Sequence, residues 1–407
     1  MAIFALENTI QKYDWGSTEA LPEFLGRENP GGEPWAELWM GAHPKAPSMA
    51  IHPFTGARTA LDALIAADPA SMLGVKAASR FEGKLPFLFK VLAVAKPLSI
   101  QAHPSKRKAE HGFAREEFAG IPVDSPDRNY KDSNHKPETV VALGPFRGLS
   151  GFRTIDEIVA NMKTLAPDDW HRVVRRLVAD PGMLELSVFF YTFVSMTGDT
   201  KGRRLAFTRR RSERIVAAEP AGSAARVTFS CVLELMDAYP DDMGALAPLV
   251  LNLFELSPGQ SLNLSPGQAH AYLHGTAVEI MANSDNVLRG GLTYKHIDIP
   301  ELISLLSFES TGITPTVLAP SAGGFRAYDC GVPDYAIAKA TVHGTLRTGK
   351  RARVPEILLC TAGSLSLSAG ENHPLPLPRG ASAFVTADQG TYSLSGDGEL
   401  FRASVPS

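Results

Sequence analysis

The stretch LPFLFKVLAVAKPLSIQAHPSK, residues 85–106, is where the chain declares its architecture. Its first half carries FLFKVLAV, a short run of aromatic and branched apolar residues of the kind that forms a β-strand. Lys90 and Lys96 interrupt the longer apolar segment LPFLFKVLAVAKPLSI, which is too short to cross a bilayer. Its second half sets Gln101 and His103 two residues apart. On a strand such positions share a face, about 6 to 7 Å apart, so both side chains aim at a common point. One metal ion can accept both.

Outward from this stretch, residues 1–150 are rich in Pro and Gly and hold further short β-like runs such as TVVALG, with one short helix expected at TALDALIAA. From residue 154 to about 245 the texture changes. TIDEIVANMKTL, WHRVVRRLVAD and SERIVAAEP repeat apolar residues at three-to-four spacing, which predicts several helices. From 247 onward short apolar runs return between PG, GG and SG turns, the pattern of sandwiches or barrels. The fold expected is mainly β with an α-helical insertion. A faint echo lies in the last part: LSPGQAHAYL (264–273) can be laid on LPRGASAFVT (377–386), matching Gly267 with Gly380 and setting His270 against Ala383.

Composition narrows the function. A chain of 407 residues, 44% of them hydrophobic, can bury a substantial core in two or three domains. Its net charge of -3 creates no field that would draw it to nucleic acid or an anionic membrane. Cys231, Cys330 and Cys360 are far apart and form no CxxC pair, so neither a disulfide framework nor a thiolate zinc site is indicated and a reducing cytoplasm fits. The N-terminus has no basic region followed by an apolar one, so no export is expected. The arginines of RRLAFTRRRSER (203–214) read as a solvated helix face or a rim for anionic sugar phosphates, because interleaved aromatics beyond Phe207 are lacking.

The QxH pair does not stand alone. SNHKPETVV places Glu138 at the head of a β-branched run, and PGQAHAYLHG uses a PG turn to aim His270 from the start of another strand. Gln101, His103, Glu138 and His270 make an N2O2 set, which suits a zinc ion with a position left open for water or substrate. Iron, manganese or nickel would accept the same ligands. His135 and His274 compete for the histidine places, and spacing does not choose between them.

FLFKVLAVAKPLSIQAHPSK, SNHKPE and HAYLHGTAVEIMANSDNVLRGGLTYKHIDIPEL, taken together, resemble the type I mannose-6-phosphate isomerase family of zinc enzymes in the cupin superfamily. YDWGS and AELWMGAHPKAPS look like the opening segments of that family. The resemblance covers residues 1–150 and about 250–305 well, and the rest only in general architecture. It implies two cupin-type (jelly-roll) β-barrels plus a helical domain: a catalytic barrel from 1–150 and 246–310, a helical insertion at 151–245, and a C-terminal barrel at 311–407 without a metal site. It implies one zinc per chain, held by Gln101, His103, Glu138 and His270. It also implies interconversion of mannose 6-phosphate and fructose 6-phosphate.

That reaction moves a proton from C2 of the open-chain aldose to C1 through an enediolate. It needs a base, a stabiliser of oxyanion charge and a phosphate clamp. Arg289 in SDNVLRGG offers a forked cation for the enediolate or phosphate. Lys136 lies two residues from Glu138, shares its face on a strand, and is the expected base together with Asp285, with Glu279 third. The resemblance points to Ser99, Lys90 and Lys295 for the phosphate, and Lys106 adds a charge directly after the QxH pair. Trp15, Trp39 and His43 read as barrel packing. A metal cupin acting on another sugar and a non-catalytic sugar-phosphate sensor are the rival functions. The expected partner is the sugar phosphate, with no nucleic acid and no membrane, in the cytoplasm; a monomer is expected, and the sequence leaves an oligomer open.

Overall fold

The computed structural model describes residues 2–406 apart from 166–169, 311, 317, 321–323, 350–352 and 371–373. The strand Phe87–Val94 lies at its centre, with all eight residues buried. Phe87, Phe89 and Val91 face one apolar cluster shared with Ile357, Phe384 and Phe401 of the C-terminal strands. Leu92 and Val94 face another, with Phe146, Phe254 and Tyr272. A run that is apolar at nearly every position is what burial on both faces selects.

Phe87–Val94 pairs antiparallel with Glu37–Gly41 on one side and with His270–Ala282 on the other. His270–Ala282 is the longest strand of this sheet and serves two sets of partners. Its first residues pair with Ile100–Ala102 and Phe146–Phe152, and its later ones with Phe87–Val94 and Glu138–Ala142. The change of partners falls at a register shift between Tyr272 and His274. Gly275 follows at φ +122°, where a Cβ would stand 2.3 Å from the Pro145 carbonyl oxygen, so only glycine fits the bend.

Phe146–Phe152 pairs with Leu251–Leu256, and the chain between them forms helices Ile155–Leu165, His171–Ala179, Met183–Val194, Gly198–Ala218 and Ala224–Ala238. The helical part therefore leaves and re-enters through neighbouring strands. Its core, including Trp170, Phe189, Phe193, Phe229 and Leu235, is continuous with Ile100 and Leu149 of the sheet. Several arginines of 203–214 are tied down there. Arg204 lies over the Trp170 ring at 4.5 Å, Arg209 pairs with Asp237 at 2.7 Å, and Arg211 donates to the Thr164 carbonyl at 3.2 Å.

A second ten-stranded sheet holds Ala336–Arg347, Ser393–Ser404, Glu356–Ser368 and Ser382–Val385. Ile3–Glu7 pairs with Ser382–Val385, and Met49–Ile51 and Arg58–Ala60 extend that edge. Hydrogen bonding thus joins residues of the expected catalytic part, 1–150 with 246–310, to the expected C-terminal barrel, 311–407, because strands near the N-terminus complete the C-terminal sheet. The molecule is mostly β-sheet with one helical region. Among the described residues no helix is long and apolar enough to cross a membrane, and the three cysteines are buried free thiols.

Candidate metal centre

Three local structures deliver three ligating side chains. His103 directly follows the strand Ile100–Ala102, Glu138 opens Glu138–Ala142 just after Pro137, and His270 opens His270–Ala282 after the turn Ser265–Gln268. Gly267 takes φ +81° in that turn, the left-handed region that favours glycine. Ligating atoms of His103, Glu138 and His270 lie within 4.8 Å of one another, and all three residues are buried.

The protonation pattern is fixed by what the histidines touch. His103 Nδ1 lies 2.8 Å from the Asn286 carbonyl, and His270 Nδ1 lies 2.9 Å from the Gln268 carbonyl. A carbonyl only accepts, so each Nδ1 carries the proton and each Nε2 is left with a lone pair. Both lone pairs face the same carboxylate: His103 Nε2 is 3.3 Å from Glu138 Oε1, and His270 Nε2 is 3.3 Å from Oε2. His103 Nε2 is buried without a hydrogen-bond partner. Burial, with Lys136 next, pushes the His103 imidazole down to about 4, so it stays neutral. Burial opposes the charge on Glu138 as well, but Lys136 and the two histidines hold its carboxyl well below the usual range.

Lone pairs turned on a carboxylate repel unless a cation lies between them. Tetrahedral zinc with bonds of about 2.0 to 2.2 Å separates its ligand atoms by about 3.3 to 3.5 Å, which matches the spacing found here. The donor set therefore fits a zinc ion. Gln101 stands opposite His270 in one ladder and opposite Arg289 in the next. Directly opposed residues share a face, so Arg289, Gln101 and His270 form a row across three strands.

Lys136 joins the group, its Nζ 2.8 Å from Glu138 Oε1. Asp285 stands between Lys45 Nζ at 2.9 Å and His43 Nε2 at 3.7 Å. Burial would raise its pKa, but these neighbours lower it, so Asp285 is ionised. Glu279 is buried and opposite Lys90 in the ladder; it accepts from Lys90 Nζ at 3.0 Å and from the Tyr272 hydroxyl at 2.9 Å. Burial nonetheless raises the Glu279 pKa, while Glu37 and Glu279 together raise that of Lys90 against its desolvation. Arg289, Lys295 and Lys131 have no ion-pair partner among the described residues. Partial burial, then Arg289 and Lys131, lowers the Lys295 pKa. Ser99 is half-buried at the head of the strand that carries Gln101.

The remaining residues singled out in the sequence lie as follows. Lys106, expected at the phosphate, is exposed at the start of the helix Lys106–Phe118, which Ser105 caps, and its Nζ binds the Ser133 carbonyl and Asn134. His135 turns to Asp334 at 3.0 Å and His274 is exposed, so neither rival histidine joins the group. Trp39 does pack, yet it does so at the site: it stands opposite Lys90, which lies over its ring at 5.6 Å, and its indole N–H donates to Glu37. His43 meets Trp39 edge-on, and Trp15 stacks on Tyr13.

The sequence reading missed Asn286 and Asp132. Asn286 holds His103 through its carbonyl, while its side-chain amide donates to the carbonyls of Asp132 and Asn134. Asp132 accepts from the Ser284 hydroxyl and the Asp285 amide. The signal available was the pair of Asx-rich clusters, KDSN and NSDN, whose side chains favour such loop bonds.

Comparison with known proteins places this geometry. Residues 3–155 match the family model described as phosphomannose isomerase type I, catalytic domain. The mannose-6-phosphate isomerase of Escherichia coli (strain K12) is 40% identical over 398 residues, covering 98% of each chain. That of Homo sapiens is 34% identical, covering 95% of this chain and 94% of the human one. Among solved structures, mannose 6-phosphate isomerase from Salmonella typhimurium bound to its substrate and a zinc atom superposes over 100% of both chains, at a TM-score of 0.90 and 40% identity.

Proposed function

The chain belongs to the type I mannose-6-phosphate isomerase family, and from that premise we propose how its residues interconvert mannose 6-phosphate and fructose 6-phosphate with one zinc ion per chain. The observation that carries the reading is the pair of Nδ1-tethered histidines turning their lone pairs onto Glu138. Gln101 is the fourth proposed ligand, from its place in the row with His270. When bound there, zinc supplies a Lewis acid next to the sugar oxygens, worth several kcal/mol of transition-state stabilisation.

The chain's own residues handle the proton and the phosphate. Lys136 takes the proton from C2 and returns it at C1, being the titratable amine nearest the ligand set. Asp285, ionised and partly open to solvent, serves the sugar hydroxyls, and Arg289 stabilises the enediolate charge. Lys295 and Lys131 receive the phosphate dianion together with Ser99 at the strand head, since neither lysine has an ion-pair partner among the described residues. Lys90 and Glu279 compensate each other, so their proposed part is to line the pocket wall and hydrogen-bond a sugar hydroxyl. Each large sheet is read as a cupin-type jelly-roll barrel, and the free buried thiols accord with a cytoplasmic setting.

The test strips the purified protein with chelator, quantifies bound metal, and assays mannose 6-phosphate turnover before and after zinc is restored. Activity lost and regained with about one zinc per chain is expected. Stoichiometric metal without turnover would remove the isomerase reading.

A further inference from the structure

The segment Asn134–Pro137 is held from two sides. On the pocket side its Asn134 carbonyl accepts from the Ser284 hydroxyl and the Asn286 amide. On the other side it meets the C-terminal part of the chain, where His135 Nε2 lies 3.0 Å from Asp334 Oδ2. Asp334 is 6% exposed. Extended chain sends successive side chains to opposite faces, so His135 reaches outward as Lys136 reaches in. The next residue, Tyr335, lies 3.2 Å from Thr139 Oγ1, and the Thr139 hydroxyl donates to Asn263 at 2.8 Å. Two consecutive residues of the C-terminal part therefore grip the strand on either side of Lys136 and Glu138.

We propose that Asp334 is a positioning residue for Lys136, acting through His135, so that the segment leading into the C-terminal strand Ala336–Arg347 sets where the proton-transfer amine stands. This rests on the isomerase reading and deepens it. Pro137 adds the reason the grip is transmitted. The residue before a proline is confined to extended conformations, so the Lys136 backbone has little freedom of its own and follows whatever fixes His135. A buried carboxylate opposite a half-buried imidazole is also costly to form, unlike an exposed pair. Misplacing a reacting group by about 1 Å can cost a hundredfold in rate, which makes such a brace kinetically visible.

The experiment compares wild type, Asp334→Ala, Asp334→Asn, His135→Ala and the Asp334→Ala/His135→Ala double variant for kcat, KM, zinc content and thermal midpoint. Asp334→Ala is expected to lower kcat about tenfold to a hundredfold with zinc content and KM little changed. Asp334→Asn keeps an oxygen that can accept from His135 and is expected to recover most of the loss. The double variant is expected to be no slower than either single one, because both changes remove the same contact. Unchanged kcat in Asp334→Ala, additive losses in the double variant, or zinc lost in step with kcat would each overturn the proposal. Should Asp334→Ala not fold, His135→Ala decides alone: lowered kcat at constant KM supports the brace and unchanged kcat overturns it. Wild-type protein without turnover would defeat the isomerase reading itself, whereas an active wild type with unaffected variants would defeat only the brace.

Discussion

Two turns of the same build lead to opposite ends. Ser265–Gln268 and Pro378–Ala381 each close with an N–H to carbonyl bond from fourth residue to first, at 3.1 and 2.9 Å, and each holds a glycine at φ +81° or +85°. Three residues after the first glycine stands His270, opposite Gln101 and Ser150. Three residues after the second stands Ala383, opposite Ala5 and Leu358 and fully buried. The backbone device is shared, and the row of residue types across the strands makes one place a polar cluster and the other a core.

The largest effect is expected from erasing that difference in the first sheet. Glu138→Ala removes the carboxylate both imidazoles face, and turnover should fall about a thousandfold or more, the equivalent of about 4 kcal/mol, with zinc lost on dialysis. Retained zinc and turnover would show the two sheets to be less different than described. Next comes Lys136→Met, which should slow C2 proton exchange with solvent by about a hundredfold to ten-thousandfold while zinc stays bound; exchange at the wild-type rate removes Lys136 from that role.

A smaller effect is expected one layer out. Asn286→Ala unpins the loop that offers its carbonyl to His103 and should weaken zinc about tenfold to a hundredfold, read by competition with a chelator. On the core side, Ala383→His places an imidazole where apolar neighbours leave no space. It should cost about 1 to 3 kcal/mol in urea unfolding, with turnover and zinc stoichiometry unchanged. A second bound zinc would instead make the two sheets equivalent.

Proton linkage sharpens the same contrast. His103 prefers its neutral form in the fold, with its pKa at about 4 against an ordinary 6.5. Between those values the unfolded chain binds a proton that the native one does not, so the stability of metal-free protein should fall as pH drops through that window. Glu138, held ionised in the fold, adds to the loss below its ordinary value of 4.5. Unfolding midpoints that stay flat from about pH 7 to about pH 5 would contradict this.

Much of this was legible in the chain. The motifs IQAH, NHKPE and PGQAH offered the donor types, the family resemblance chose His103, Glu138 and His270 among the rival histidines, and three-to-four periodicity announced the helices between 154 and 245. What stayed hidden is non-local or carried by backbone. The pairing of Ile3–Glu7 with Ser382–Val385 joins strands from the two ends of the chain, and no local pattern records it. Asn286 acts on His103 through a carbonyl that every residue possesses. Lys90 reads as an anion-binding lysine until Glu279 and Glu37 are seen beside it. The outward turn of Lys106 has a nearer cause, since Ser105 caps a helix that starts there.

The central claim is that one metal ion is held where the two tethered imidazoles meet Glu138, and nowhere in the C-terminal sheet. Anomalous diffraction at the zinc edge from crystals of zinc-loaded protein tests it directly. A single peak per chain within bonding distance of His103 Nε2, His270 Nε2 and Glu138 is the predicted result. A peak elsewhere, or none between those three side chains, would contradict it.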